Sequence, residues 1–359
     1  MKITKIGEFK TIISNPDSRH NYFAWPTAVR LKNGKIAVAA SGFRLRHVCP
    51  FGKTVISFSE DDGETYTAPA PVIDTVLDDR DGGIATFGES GVIVTSFNNT
   101  AEMQSRHDPD PYMAAYIDTI TKEDEDKFLG STFRISYDNG VTFGKLYKSP
   151  ITSPHGPSEM ADGSLLWIGR VFEGCGHGTE GIGIKAYKID PADGSMEYLG
   201  EIENIDDGYE TPLSCEPHQI ILKDGTIICH IRVQRSGEHK LFTVYQSESK
   251  DGGRSWSKPH PVIGETDGAP PHLLEHSSGA LICTYTCRKA PYETRAAISF
   301  DGGNSWDVNH VLDVNGVSWD VGYPSTVELK NGDLITVIYA HKSENEPAVI
   351  MQQKWRLEK

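Results

Sequence analysis

SEDDGETY, residues 59–66, decides the fold of this chain once its copies are found. An aspartate that caps backbone amides, a glycine where φ turns positive, a hydroxyl that closes the loop and an anchoring aromatic together specify a tight hairpin connection. The same order recurs as SYDNGVTF at 136–143, SKDGGRSW at 249–256 and SFDGGNSW at 299–306. A single match is an ordinary turn. Four in one chain mark a repeat, and repeats govern the fold before any other signal.

A second pattern lies around the first: an apolar strand, a polar turn ending in glycine, then another apolar strand. Its glycines are Gly34, Gly91, Gly163, Gly225, Gly279 and Gly332, spaced by about 53 to 72 residues. That period suits a four-stranded blade with loops, and six units suit a closed ring. The expected fold is therefore all-β: a six-bladed β-propeller with Asp-box hairpins, occupying 1–359 as a single domain. A seven-bladed ring or a β-sandwich is the competing arrangement. Only 101–126 (AEMQSRHDPDPYMAAYIDTITKEDED) lacks strand patterning, and a short helix inserted between blades is expected there.

The 359 residues include 35 glycines and 20 prolines, as many turns require. No run of 18 apolar residues offers a membrane span. MKITKIGEFKTII lacks the apolar core of a secretory signal, so a cytoplasmic location is the expectation. The net charge of −15 argues against nucleic acid and anionic membrane surfaces as partners. Cys49, Cys175, Cys215, Cys229, Cys283 and Cys287 are scattered without a CxxC pair. Free, mostly buried thiols are expected, with no cofactor and no structural zinc.

Read in register, the innermost strands open on Trp25-Pro26, Asp81-Gly82, His155-Gly156, Glu216-Pro217-His218, Pro271-His272 and Gly322-Tyr323-Pro324. Second strands end on Arg44 and Arg46, Asn98, Arg170, Arg232, Arg288 and His341. Arginine ends four of six units in an acid-rich chain. A guanidinium cluster facing one pocket suits bidentate capture of a carboxylate; the alternative is a set of arginine–acid pairs sealing blade contacts. The run DDRDGG at 78–83 is dense in charge. It either brings Asp79, Arg80 and Asp81 to the axis or forms a capped turn.

Three segments resemble the sialidases (neuraminidases), and the resemblance runs over nearly the whole chain. CEPHQIILKDGTIICHIR, residues 215–232, is similar to the family's catalytic-glutamate blade, which implies Glu216 as partner acid and Arg232 as a carboxylate-binding arginine. RKAPYETRAAISFDGGNSW, 288–306, resembles the blade supplying another such arginine, Arg288. GYPSTVELKNGDLITVIY, 322–339, resembles the blade of the tyrosine nucleophile, here Tyr323. A sialic acid carries a carboxylate on its anomeric carbon, which repels a carboxylate nucleophile and favours a phenol.

Two departures stand out. FAWP at 23–26 replaces the family's Arg-Ile-Pro, putting Ala24 where one arginine belongs. SGFRLRHVCPFGK at 41–53 has no acid where the family's proton donor lies, but has Arg44, Arg46 and His47. Asp79, Asp81 or His47 then becomes the candidate proton donor, with Asp320 and Glu159 as further candidates. Arg46, Arg80 and Arg170 join Arg232 and Arg288 as candidate substrate-binding residues.

The resemblance implies an exo-acting glycoside hydrolase taking a terminal acidic sugar: a sialic acid, or a related ulosonic or uronic acid. Two alternatives stand beside it. His155, His218 and His272 occupy matching positions on successive blades and would serve as substrate contacts, as base in a uronic-acid lyase, or around a divalent metal. A non-catalytic carbohydrate-binding propeller is the other, since Asp boxes mark fold and not activity.

Overall fold

A computed structural model describes residues 2–172, 183–313 and 316–358. Its strands form six antiparallel sheets, each running outward from a central hub. Blade one comprises Tyr22–Arg30, Ile36–Arg44, Lys53–Ser59 and Ala70–Ile73; blade two comprises Arg80–Phe87, Gly91–Phe97, Ser131–Ser136 and Tyr147–Ser149. In blade three the innermost strand is split into Ile151–Thr152 and Ser158–Glu159, both paired with Leu165–Val171, and Ile184–Ile189 and Met196–Ile202 follow. Blade four is Leu213–Ile221, Ile227–Arg235, Leu241–Ser249 and His260–Pro261. Blade five is His272–Glu275, Leu281–Thr286, Thr294–Ser299 and Asp307–Asp313. Blade six is Gly322–Glu328, Leu334–His341 and Ala348–Glu358, and its outermost strand is Lys2–Ile13, which closes the ring from the other end of the chain.

The fold is a six-bladed β-propeller, and its core lies between blades. Ala37, Ile56 and Val72 of blade one, for instance, pack with Ile84, Val92 and Val94 of blade two. Second strands such as Ile36–Arg44 and Leu334–His341 are almost continuously buried because a neighbouring blade covers each face. Their near-unbroken apolar runs follow from that.

All four Asp boxes join the third strand of a blade to its fourth. In the first, Ser59 Oγ accepts the Gly63 amide at 2.9 Å, while Asp61 accepts the amide and hydroxyl of Thr65 at 2.8 and 2.6 Å. The others repeat this with Ser136/Asp138/Thr142, Ser249/Asp251/Ser255 and Ser299/Asp301/Ser305. The boxes also tie neighbouring blades. Tyr66 Oη donates to Gln352 of blade six at 2.9 Å, and Trp306 Nε1 donates to Gln246 of blade four at 2.8 Å. Gly63 has a φ of 85°, which strains any other residue, and a Cβ there would meet the Ile335 Cδ1 at 2.5 Å and push that side chain aside.

Hydrogen bonds from those box hydroxyls and amides hold Asp61, Asp138, Asp251 and Asp301 down to about 2. A carboxyl depressed in the native state stabilises above its unfolded value of about 4, and that contribution is lost as pH falls towards about 2. Asparagine at all four positions should flatten the pH dependence of the urea midpoint between pH 4 and 2. Parallel curves for variant and wild type would refute the assignment.

The segment expected to hold one helix between blades instead holds three, Ala101–Ser105, Pro111–Ile117 and Lys122–Phe128, inside blade two between its second and third strands. Each has its own side-chain cap, from Thr100, Asp110 and Thr121, and these restarts keep the helices short. Cys49, Cys215, Cys229, Cys283 and Cys287 are free and buried; Cys175 lies outside the described residues.

Candidate active site

Four blades begin their innermost strand with the same device. Pairing with the second strand slips between Ala24 and Thr27, Arg80 and Gly83, Cys215 and His218, and Gly322 and Ser325. Inside these bulges Trp25, Asp81, Glu216 and Tyr323 take φ of 54°, 50°, 49° and 52°. Left-handed backbone at non-glycine residues is uncommon, and for bulky side chains it marks strain of the kind stored at functional sites. Bulges re-aim side chains, and all four of these line one pocket on the axis, together with His47, Arg80, Arg170, Arg232, Arg288 and Trp319.

At its centre the Tyr323 hydroxyl donates to Glu216 Oε1 at 2.6 Å, and Arg232 donates to the other oxygen at 2.6 Å. Gln234 fixes Arg232 by accepting from its Nε at 3.1 Å. Burial alone would raise the Glu216 carboxyl, but Arg232, the Tyr323 hydroxyl and Arg288 outweigh it and hold the group below its usual value. Burial, with the charges of Glu216 and Asp81, pushes the Tyr323 phenol well above 10. The resting pair is thus a neutral phenol on a carboxylate that can accept its proton.

Three further groups complete the pocket. Arg288 donates to the Val321 carbonyl at 3.0 Å. Arg80 stacks on Trp25 at 4.1 Å and donates to the His47 carbonyl at 2.9 Å; blade two thereby supplies a guanidinium on the blade-one side, where Ala24 has none. Asp81, 6% exposed, is raised to about 7 chiefly by burial, with Glu216 adding to the effect and Arg80 opposing it. A carboxyl protonated near neutrality beside an ionised one is the arrangement of acid–base catalysis.

Several sequence candidates lie elsewhere. Arg46 turns away from the pocket and donates to the carbonyls of His107 and Asp108 at 2.7 and 2.6 Å, tethering the helical segment. Asp79 is fully buried beneath blade two, where it accepts from the Thr75 amide and Asn98 at 2.6 and 3.2 Å. Asp320 is enclosed by Tyr22 (2.8 Å), His47 (2.8 Å), Tyr339 (3.0 Å) and His341 (3.0 Å). Against burial, those hydrogen bonds keep it ionised far below the carboxylate range, so it has no proton to give. It fixes His47, which gives Nδ1–H to Asp320 and is held neutral mainly by burial. Glu159 accepts the Gly88 amide at 2.7 Å, away from this pocket.

His155, His218 and His272 do converge, with ring centroids 4.3–5.2 Å apart. They line a separate recess farther along the innermost strands, among Thr27–Arg30 and Thr326–Glu328, and not the arginine pocket. His218 Nδ1 accepts the Leu273 amide at 2.8 Å and His272 Nδ1 accepts the Thr326 amide at 3.3 Å. Each must then carry its proton on Nε2, which leaves no lone pair for a metal or for proton abstraction. Among the described residues no group of three or more His, Cys, Asp or Glu side chains has metal-holding geometry. Burial keeps all three histidines neutral. They pack the hub instead of contacting a ligand with the arginines.

The sequence alone assigns no role to Trp25, Gln234 or Trp319. The aromatic-proline pair at Trp25-Pro26, in register with Glu216-Pro217 and Tyr323-Pro324, is the signal for the first. Nothing in sequence marks the other two.

The sequence model of the BNR repeat-like domain matches residues 113–336, well over half of the chain. The protein belongs to that family. This BNR repeat-like protein shares its six-bladed architecture with solved structures. A protein of unknown function from Dyadobacter fermentans is 18% identical, each chain covering 99% of the other, with a TM-score of 0.77. The intramolecular trans-sialidase from Ruminococcus gnavus is 13% identical over 96% of this chain and 97% of its own, with a TM-score of 0.66. The α-L-arabinofuranosidase from Fusarium graminearum is 12% identical over 98% of each, with a TM-score of 0.63. Identities this low carry the fold alone. No curated protein matches the BNR repeat-like chain by sequence.

Proposed function

We propose that the protein is an exo-acting glycoside hydrolase of the sialidase type, releasing a terminal acidic sugar: a sialic acid, or a related ulosonic or uronic acid. The 2.6 Å contact between the Tyr323 phenol and the ionised Glu216, inside a pocket lined by four arginines, carries the reading. Arg170, Arg232 and Arg288 hold the sugar carboxylate, with Arg80 on the blade-one side. Tyr323 Oη attacks the anomeric carbon while Glu216 takes its proton. The bond to the leaving oxygen breaks as Asp81 protonates that oxygen. Water, deprotonated by Asp81, then displaces Tyr323, which recovers its proton from Glu216, and configuration is retained.

Arginines favour this over removal of a neutral pentose, which needs no cationic pocket. A lyase built on the three histidines loses support from their position and from the tautomers of His218 and His272. The test is release of 4-methylumbelliferone from the α-N-acetylneuraminide and from the glucuronide and galacturonide, beside the α-arabinofuranoside. Turnover of an acidic glycoside is expected; turnover of the arabinoside alone refutes the proposal. EDTA should leave the rate unchanged, and a loss restored by added metal would overturn the histidine assignment.

A further inference from the structure

We infer that the pocket continues into a cationic subsite for the leaving group, so that the terminal acid is cut from a second acidic sugar and not from a neutral one. This rests on the hydrolase reading above. Beside the axial pocket, and sharing Gln234, Arg288 and Trp319 with it, a recess of about 280 Å³ opens between blades four and five. The axial pocket alone, about 180 Å³, falls below the roughly 300–1,000 Å³ of small-molecule sites, so a longer ligand needs this second space.

Arg235, Lys240 and Lys289 line the recess along with Arg288, and no carboxylate lines it among the described residues, although the chain has 50 acidic residues to 35 Lys and Arg. Arg235 is committed: it donates to both oxygens of Asp207 at 2.9 and 2.8 Å. Lys289 bonds the neutral Thr266 hydroxyl at 2.5 Å, and Lys240 forms no ion pair among the described residues. Two ammonium groups therefore face the recess without a counter-charge. Phe242 provides an apolar surface below Arg232 and Arg288, 5.1 and 5.9 Å from its ring. Trp319, 59% exposed, stands at the junction of the two spaces, where an aromatic face suits the apolar side of a sugar ring. A linked pair of acidic sugars would place one carboxylate on the arginines and the other between the lysines.

Binding by calorimetry tests this with N-acetylneuraminic acid, sialyllactose and disialic acid, and with galacturonic and digalacturonic acids. In a Tyr323→Phe background, which holds the ligand without cleaving it, the protein should bind the dimer of its preferred acid about 10-fold more tightly than the monomer or the neutral-linked sugar, consistent with two partly exposed charge contacts. Adding Lys240→Gln/Lys289→Gln should bring that dimer-to-monomer ratio close to 1, and raised salt should lower it where both lysines are kept. A monomer that binds with no dimer advantage, or an advantage that survives the double substitution, overturns the subsite alone. If no acid binds at all, the hydrolase reading falls and the subsite with it.

Discussion

Tyr323→Phe should lower kcat on an acidic aryl glycoside by roughly 10³-fold or more, in the range of losses seen when a covalent nucleophile is deleted. KM should change little, because Arg170, Arg232 and Arg288 line the pocket whether or not the phenol is present. Folding should survive as well. Removing the hydroxyl takes one donor from Glu216 but leaves Arg232 at 2.6 Å, so no buried charge is stranded. Glu216→Gln should give a comparable loss by removing the proton acceptor, and the double variant should be little worse than either single one, since the two act as a unit. A phenylalanine variant retaining a tenth of wild-type kcat would exclude Tyr323 as nucleophile.

Asp81→Asn should produce the second large effect, and its signs differ for activity and stability. As proton donor Asp81 is worth about 10²–10⁴-fold, felt most with a sugar leaving group and least with an aryl one that departs without help. Wild-type activity should fall as pH rises through about 7, the value to which burial raises this carboxyl, and the asparagine variant should lose that limb. For stability, Asp81 holds its proton more tightly folded than unfolded, where its value is about 4. Wild type therefore loses stability between pH 4 and 7, and asparagine avoids that loss. The variant should melt higher than wild type at pH 8 and near it at pH 4. Equal melting at both pH values, or an unchanged pH–rate profile, would remove Asp81 from the role.

The propeller was legible because its signals are local. Each Asp box needs only eight consecutive residues, and each turn glycine sits between two apolar runs. Glu216, Tyr323 and Arg232 followed by register, since a residue opening or ending an inner strand has one direction to face. Arg46, Asp79 and Asp320 were misplaced for a shared reason. Each lies in a connection between strands, where the partner that captures a side chain comes from a distant segment: His107 for Arg46, Asn98 for Asp79, Tyr22 for Asp320. Distance along the sequence hides such partners. The histidines were in register but two residues too deep on blade four, where Glu216 faces the pocket and His218 the recess behind it.

The closing strand pair sets how the ring responds to load. Lys2 lies opposite Glu358 and Ile13 opposite Ile350, antiparallel, so the two chain ends leave the fold side by side. A pull applied through them is borne by one rung at a time, starting at Lys2–Glu358, and the seam peels like a zipper where a staggered pair would have resisted in shear. Tyr323 stands on the innermost strand of that same blade. Tension on the ends thus reaches the sheet of Tyr323 first, while Glu216, two blades away, is still held by an intact one.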